Sequence, residues 1–504
     1  MPGVSIAARN AGTGFERQTT SGQAGFFNIS LLPPGAYQVT AAKQGFSTAE
    51  LRNVILNVGE QVSIEIVLRV ASSKETVTIV EQAGQVNTAP SVGTVIDRQF
   101  IEHLPMNGRS FQSLIILTPG VVLTKTDFGS QGQFSVNGQR SSSNYFTVDG
   151  VSANIHVSVS ATLGQTGAGA IPGVSAAGGT SNLVSVDALQ EFRIQTSTFA
   201  PEFGRTPGAQ VSLVTRSGTN QFHGTLYEYF RNDVFYANDW FANSRGLAKP
   251  PVRQNNFGGV LGGPIVRDRT FFFASYEGLR LRQPQTRITD VPSLSVRRTA
   301  PAAVQPFLNA YPVPNGPEAS RGLAQYAASY SDPSTSDAGS IRGDQYMGSR
   351  LMLFGRYNNS PSELLIRAID NTSINTVTAQ SFFTKTATAG ATLIVSPTIL
   401  NEFRANWSRS GSSWFSYLDS FGGAAPPQPS AFLPPGVNPL TSLVVFGIGG
   451  NQSSFYVGRN VQNRLAQANL VDNVSVAAGP HQVRFGADYR RLWPVLGYRN
   501  YSSL

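Results

Sequence analysis

The side chains that most often do chemistry are few in this sequence and poorly placed for it. The four histidines, His103, His156, His223 and His481, are dispersed, and none falls in the H-x-x-x-H or H-E-x-x-H spacing that sets two imidazoles on one helix face around zinc. There is no cysteine, which removes disulfides, thiolate metal sites and thiol nucleophiles. Residues 158–181 are rich in glycine, but a phosphate-cradling loop needs G-x-x-x-x-G-K-[ST] opening a helix, and no lysine follows these glycines. No G-x-S-x-G elbow or dinucleotide fingerprint stands in a strand-turn-helix setting. Asp149, Asp187, Glu191 and Glu202 are acidic candidates, yet a hydrolase pair is defined by its geometry, which spacing does not supply. The residues therefore argue against an enzyme and call for no metal or cofactor.

The charged residues are more informative. The net charge is +9, and only five of the 38 basic residues are lysines, so arginine dominates. Those arginines are scattered, with no run longer than a pair, unlike the clustered patch that neutralises nucleic-acid phosphates. Nucleic acid is not an expected partner. Scattered arginine in strands suits a polar lumen, where a permanent cation pairs with carboxylates or a ligand. The elements that would hold them are β-strands: only 13% of residues are charged, while 50 glycines and 30 prolines break the chain into short segments. At 504 residues the chain exceeds one hydrophobic core, and no stretch approaches the roughly 20 apolar residues of a spanning helix. The opening MPGVSIAARN also lacks the regions of a secretory signal.

From 4 to 69 short strands alternate with turn residues, and Val62, Ile64, Ile66 and Leu68 share one face of the last run. The series Phe26, Leu32-Pro33-Pro34-Gly35, Tyr37, Gly45-Phe46 resembles the carboxypeptidase regulatory-like domain, a small β-sandwich without catalytic residues. Pro34-Gly35 makes the turn and Tyr37 with Val39 returns to the core. The resemblance leaves two roles open, carbohydrate binding and a rigid spacer. The family's first strand, of the type G-x-V-x-D, has no counterpart, so the chain is expected to be truncated at its N-terminus.

A polar linker follows at 71–90. Its β-prone run, Glu75-Thr76-Val77-Thr78-Ile79, then Val80, resembles in type and position the segment by which TonB-dependent receptors pair with TonB, although a further strand of the sandwich or linker reads equally well. Next come Leu104, Pro105, Asn107, Gly108 and Arg109, then Thr118-Pro119-Gly120-Val121, Asn137, Gly138 and Arg140, and Asp149-Gly150. No single tetrapeptide is specific, but this ordered series resembles the plug of Oar-like TonB-dependent receptors. Locally, Asp97 is placed to cap one short helix. Ser110 is placed to cap another that buries Phe111, Leu114, Ile115 and Leu117, with 158–181 as a mobile plug loop. Asn137-Gly138 and Asp149-Gly150 are tight-turn dipeptides. Glu191-Phe192, Phe203-Gly204-Arg205 and Gly208, ahead of a strand at 210–215, resemble the family's plug exit.

After Gly218 strands alternate in polarity. Glu402, Arg404, Asn406 and Ser408 oppose Phe403, Ala405 and Trp407, and Gln482, Arg484, Asp488 and Arg490 oppose Val483, Phe485, Ala487 and Tyr489. Alternation alone fits both a soluble sandwich and an outer-membrane barrel. Aromatics near strand ends favour the barrel. So does the run from Asn256-Phe257-Gly258-Gly259 through Gly262-Gly263-Pro264-Ile265 to Tyr276, which resembles Oar-like barrels, with turns expected at Gly263-Pro264 and 268–270 and the second strand ending at Tyr276. Ten to twelve strands of about ten residues are expected, with long loops at 301–335 and 422–439.

The expectation is a mainly β chain: a small β-sandwich (1–70), a linker (71–90), an α+β plug domain (91–218) and an incomplete antiparallel transmembrane β-barrel (219–504). The resemblance implies a receptor in the bacterial outer membrane. It would sit in outer-membrane lipid, be driven by TonB of the TonB-ExbB-ExbD system, and import a bulky siderophore, oligosaccharide or peptide. Carbohydrate is also a candidate for the unidentified extracellular ligand. The rival reading is a surface adhesin or carbohydrate-binding scaffold without transport. Related barrels have about 22 strands, so a fragment cut at both ends is expected, with open and aggregation-prone edges.

Overall fold

The computed structural model of the chain describes residues 1–29, 32–57, 60, 62–70, 86–87, 92–97, 101, 115–124, 133–159, 168–176, 183–197, 199, 203–319, 322–369, 371–448, 453–478, 481–497 and 501–503. At the N-terminus β1 (Ser5–Asn10), β2 (Glu16–Thr20), β3 (Gly35–Ala42) and β4 (Ala49–Leu56) form an antiparallel sheet in the order β2-β1-β3-β4, and β5 (Val62–Ser63) pairs with β6 (Val86–Asn87). The second layer is mostly extended chain without a ladder. Ile64, Ile66 and Leu68, alternating as the sequence implies, join Phe27 and Leu32 over Tyr37 and Val39. Burial pushes the Tyr37 phenol above the usual tyrosine range, and its hydroxyl donates to Pro33 O at 2.6 Å. No strand forms at Phe26: that ring is exposed, and its neighbour Phe27 does the packing. Consecutive residues of an extended chain point to opposite sides, so only one of the two rings reaches the core.

In the plug, β7 (Val92–Asp97) and the hairpin β8 (Val121–Leu123)–β9 (Phe134–Val136) precede β10 (Tyr145–Val148), β11 (Val151–Ser152), β12 (Leu189–Ser197) and β13 (Gln210–Thr215). Its main sheet has the order β11-β10-β13-β12-β7, with β10 and β13 parallel. Ile96, Phe146, Phe192 and Leu213 fill the core under this sheet. Ile115 is buried as expected, but Leu117 is exposed, because the chain turns at 116–120 before the helical face extends that far.

The wall is an 11-stranded sheet: β14 (His223–Asn232), β15 (Arg253–Val266), β16 (Thr270–Pro292), β17 (Leu323–Met347), β18 (Leu351–Arg367), β19 (Thr376–Ser396), β20 (Ile399–Leu418), β21 (Ser442–Ile448), β22 (Ser453–Ala478), β23 (His481–Val495) and β24 (Tyr501–Ser503). All neighbours are antiparallel except β21 and β24. The sheet curves around the plug and, among the described residues, does not close: there β14 pairs only with β15, and β23 only with β22. Short turns at 267–269, 348–350 and 397–398 mark one end, and the connections at 233–252, 293–322 and 419–441 mark the other. In outer-membrane barrels the short turns are periplasmic. No described helix is long and apolar enough to cross a membrane.

Four expectations for the wall change. Strands reach 25 residues in β17 and 26 in β22, well beyond the ten or so needed to span, so their upper parts project past the bilayer. Gly263-Pro264 lies inside β15, and Tyr276 inside the 23-residue β16. Proline is tolerated there because β14 ends at His223, opposite Gly262, leaving Pro264 no ladder bond to lose on that side. The expected loop at 301–335 ends at Leu323, where β17 begins. At the long-connection end the chain builds its own core, in which Phe455 is packed by Tyr311, Phe432 and Phe446 at centroid distances of 5.1–5.2 Å. Arg297 closes it from within, donating to Pro292 O, Tyr311 O and Pro312 O, and burial lowers its pKa from the ordinary guanidinium value.

Phe192 is fully buried in the plug sheet. Replacing Phe192 by Ala should cost about 3–5 kcal/mol, read as faster proteolytic clipping of the plug in detergent while the wall strands stay protected.

Candidate functional site

The plug is held inside the wall by polar side chains of the strands' inner faces. The two dipeptides fold as their residues dictate: Asn137 and Gly138 have φ of 50° and 76°, Asp149 and Gly150 of 51° and 85°, as type I′ turns require. Asn137 donates through Nδ2 to Thr196 O at 3.0 Å, tying its turn to β12, whereas Arg140 is exposed beside its turn. The Asp149-Gly150 turn approaches the wall, where Arg404 leaves no more than van der Waals room for a side chain at position 150. Glu75, Thr76, Val77, Thr78 and Ile79, and likewise Leu104, Pro105, Asn107, Gly108 and Arg109, lie outside the described residues.

Asp149 is the centre of a charged cluster. It accepts from Thr215 N at 3.0 Å and from Thr215 Oγ1 at 2.9 Å, which fastens the β10–β11 turn to the end of β13. Arg342, on β17, donates to Asp149 Oδ1 at 3.2 Å, to Thr215 Oγ1 at 2.9 Å and to Asp344 Oδ1 at 2.8 Å. One guanidinium thus joins a plug carboxylate to a wall carboxylate, with three charges whose side chains are only 3–15% exposed. The Arg342 Cζ also lies 4.6 Å from the Phe354 ring centroid, and Arg404 Cζ lies 5.2 Å from it. Phe354 lies over Gly390, where any Cβ would come within 2.2 Å of the ring. Arg404 in turn pairs with Glu402 at 3.1 Å. The cluster borders a cavity of about 1730 Å³ between the plug, the wall and the N-terminal sheet, at the short-turn end. The N-terminal domain abuts that mouth: Asn220 N donates to Gly12 O at 2.9 Å, and the Phe15 and Tyr346 rings are 5.7 Å apart.

Elsewhere the wall grips mainly the plug's main chain. Ser412 Oγ and Asn463 Nδ2 donate to Ser158 O at 2.7 and 2.8 Å, Gln467 Nε2 to Ser152 O at 2.9 Å, and Arg356 Nη2 to Leu183 O at 2.8 Å. The flanks of the glycine-rich loop, expected to be mobile, are held in this way: Val159 and Ala176 are buried, and Ala176 N donates to Ser362 Oγ at 2.9 Å. The small side chain of Ala176 lets its amide come within bonding reach of the wall. Arg205 of the plug exit forms an ion pair with Asp488 at 2.9 Å. Of the histidines that are described, His156 is buried against Phe382, and no group of three metal-ligating side chains forms among the described residues. Sequence reading missed Arg342 and Thr215 as partners of Asp149, and Asp344 as the wall carboxylate that shares Arg342. Only the alternation of β17 hinted at them, since it places both charged residues on the inner face.

A plug sheet enclosed by an open antiparallel wall with a polar inside and an apolar outside defines an outer-membrane β-barrel of the plugged kind. Family models agree in chain order: a carboxypeptidase regulatory-like domain matches residues 1–69, a TonB-dependent receptor plug domain 85–209, and an outer membrane beta barrel domain 214–502. The chain belongs to the TonB-dependent receptors of the bacterial outer membrane and is Oar-like. It is 26% identical over 297 residues to the TonB-dependent transporter Oar of Myxococcus xanthus, an alignment covering 56% of this chain and 26% of that protein. Two solved structures, each 12% identical, share the fold. The outer membrane transporter YddB of Escherichia coli has a TM-score of 0.51 over 79% of this chain and 48% of its own. A variant of the ferric enterobactin receptor PfeA of Pseudomonas aeruginosa has a TM-score of 0.50 over 80% and 49%. The chain thus spans about a quarter of that curated relative's length and about half of these solved chains.

Replacing Arg342 by Met should leave two carboxylates facing each other and cost about 2–4 kcal/mol, below the figure for a dry ion pair because cavity water reaches the cluster. Hydrogen exchange should then accelerate at Thr215 and in the 149–150 turn, but not along β18–β20.

Proposed function

We propose that the protein imports a bulky ligand across the outer membrane by displacing its plug, with the segment Glu75, Thr76, Val77, Thr78 and Ile79 handing the pull of TonB to the plug. The carrying observation is how the plug is fastened. Most of the bonds described between wall and plug end on plug main-chain atoms in a polar lumen, where water can take over each bond as it breaks. That is the requirement for a stopper that shifts without unfolding the wall. The charged cluster at Asp149 sits at the short-turn end, beside the cavity that a moving plug would enlarge first. Thr215 links the cluster to β13, the last plug strand before the wall, so a pull transmitted through the plug sheet would load the Asp149–Arg342 contact.

The division of labour we propose has the sandwich up to about residue 70, the coupling segment to about 90, the plug to about 218 and the transmembrane wall beyond. The plug residues Leu104, Pro105, Asn107, Gly108 and Arg109 would shape the plug around the turns at Asn137-Gly138 and Asp149-Gly150. The ligand is a siderophore, an oligosaccharide or a peptide, met first at the long-connection end, where the wall strands project furthest.

Strand addition depends on main-chain bonds, so Val77→Pro should abolish capture of the full chain by the purified periplasmic domain of TonB, and Val77→Ala should leave it intact. Equal capture of the Val77→Pro variant, or no capture of the unaltered chain, would refute the coupling.

A further inference from the structure

The outer face of the wall carries a feature that plug displacement does not use. Residues of β16 to β20, β22 and β23 that point away from the plug change character near one register row. Register pairs Tyr276 with Gly339, Gly339 with Asn359, Asn359 with Lys385, Lys385 with Arg409, Arg409 with Ala466, and Ala466 with Trp493. Below this row, toward the short turns, the outward residues are mostly apolar: Leu393 and Ala387 on β19, Phe403 and Trp407 on β20, Leu470 on β22, and Phe485 and Tyr489 on β23, with Asp472, opposite Phe403, and Arg491, opposite Ala468, as charged exceptions. Phe403, Trp407, Leu470, Phe485 and Tyr489 are 41–60% exposed while their inward neighbours Asn406 and Ser408 are buried, as a lipid-facing belt requires. The belt ends near its lower edge at Asn401, which donates to Asp472 at 2.6 Å. The row is therefore the upper rim of the apolar belt, on the side of the long connections.

Cations collect at this rim on one side of the wall. Lys385 and Arg409 stand directly opposite each other. Arg464, paired with Gly411, is the next outward residue above on β22, and Arg491, paired with Ala468, lies just below on β23. All four are exposed, and no carboxylate forms an ion pair with any of them among the described residues. The other side differs: on β16 and β17 the outward Arg280 is paired with Asp337 at 3.0 Å, and Tyr276 donates to the same carboxylate at 2.6 Å. Glu363, an outward carboxylate on the adjacent strand β18, is paired in register with Ser381, four residues beyond Lys385. Two tryptophans stand within the cationic side, with the Trp407 and Trp493 rings 5.5 Å apart and Arg491 Cζ 5.0 Å from the Trp493 centroid.

We propose that the outward face of β19, β20, β22 and β23 binds a phosphorylated lipid of the outer leaflet, with phosphate held between Lys385, Arg409 and Arg464 and acyl chains lying over the apolar belt. Four unneutralised cations at a lipid–water boundary ask for anions at that depth, and lipid phosphates are the anions found there. Arginine forks suit phosphate oxygens, and Trp407 and Trp493 bury their rings beside the uppermost methylenes. The inference rests on the outer-membrane placement of the wall, not on transport, so it stands or falls independently of the TonB experiment.

The test uses the full chain folded in detergent, with purified diphosphoryl lipid A as the probe and native mass spectrometry as the readout. The chain should retain lipid A, and a Lys385→Gln, Arg409→Gln, Arg464→Gln variant should bind it roughly a hundredfold more weakly, from about fivefold per cation. Dephosphorylated lipid A should be retained poorly, and excess inorganic phosphate should not displace the bound lipid. If the triple variant loses its β-sheet circular dichroism, the single variants Lys385→Gln and Arg409→Gln carry the test, each about fivefold weaker, while Asn359→Ala on the same row is unchanged. Equal retention of phosphorylated and dephosphorylated lipid, displacement by free phosphate, or cation variants that bind like the parent chain would each overturn the proposal.

Discussion

The period of two along a β-strand governs most of what this protein can do. A strand in a wall that separates lipid from a wet interior must send alternate side chains to incompatible solvents, and it must leave no main-chain group unpaired at membrane depth. Strand β20 shows the result over a few residues: Phe403 and Trp407 lie outward and exposed, and Asn406 and Ser408 lie inward and buried against the plug. A one-residue slip would exchange the two sets along the whole strand. The ladders of β20 with β19 on one side and β22 on the other fix that register.

The same alternation decides how the plug is gripped. An inward face of Ser, Thr, Asn and Gln has many donors and acceptors but few charges, so it bonds the plug's backbone without demanding particular plug side chains. Asp149, like Arg205 with Asp488, is an exception, since its carboxylate is the plug's own and meets a wall guanidinium. A buried cluster of this kind contributes little net stability, because desolvation offsets most of the attraction, but it fixes one geometry over its neighbours. The contact therefore serves better as a positional latch than as glue. Thr215 makes it directional, with its hydroxyl donating to Asp149 while accepting from Arg342.

How much of this was legible beforehand depended on whether a feature is local. Asn137-Gly138 and Asp149-Gly150 fold as the turns their residue types dictate, because positive φ is a property of two residues. The strand Gln210–Thr215 and the polar and apolar faces of β20 and β23 were equally readable, since alternation needs no partner. Pro264 misled because a proline is a turn signal only when its neighbouring strand continues, and β14 stops short of it. Strand length misled as well: only the bilayer sets the expected ten residues, whereas β17 continues to 25 by pairing with β16 above the rim. The partnership of Asp149 with Arg342, 193 residues away, leaves no local trace.

The outer and inner faces of the wall also solve the problem of arginine differently. Inside, Arg342, Arg404 and Arg205 each meet a carboxylate, and Arg356 and Arg490 donate to plug carbonyls, because a cation in a narrow lumen is only partly hydrated and needs fixed partners. Outside, Lys385, Arg409 and Arg464 have none among the described residues, and at the edge of a bilayer none is needed from the protein, since headgroups and water supply it. The excess positive charge of the chain is thus not a diffuse property of its surface. Part of it lies on one level and one side of the wall, which the alternation of strands and the width of the apolar belt together define.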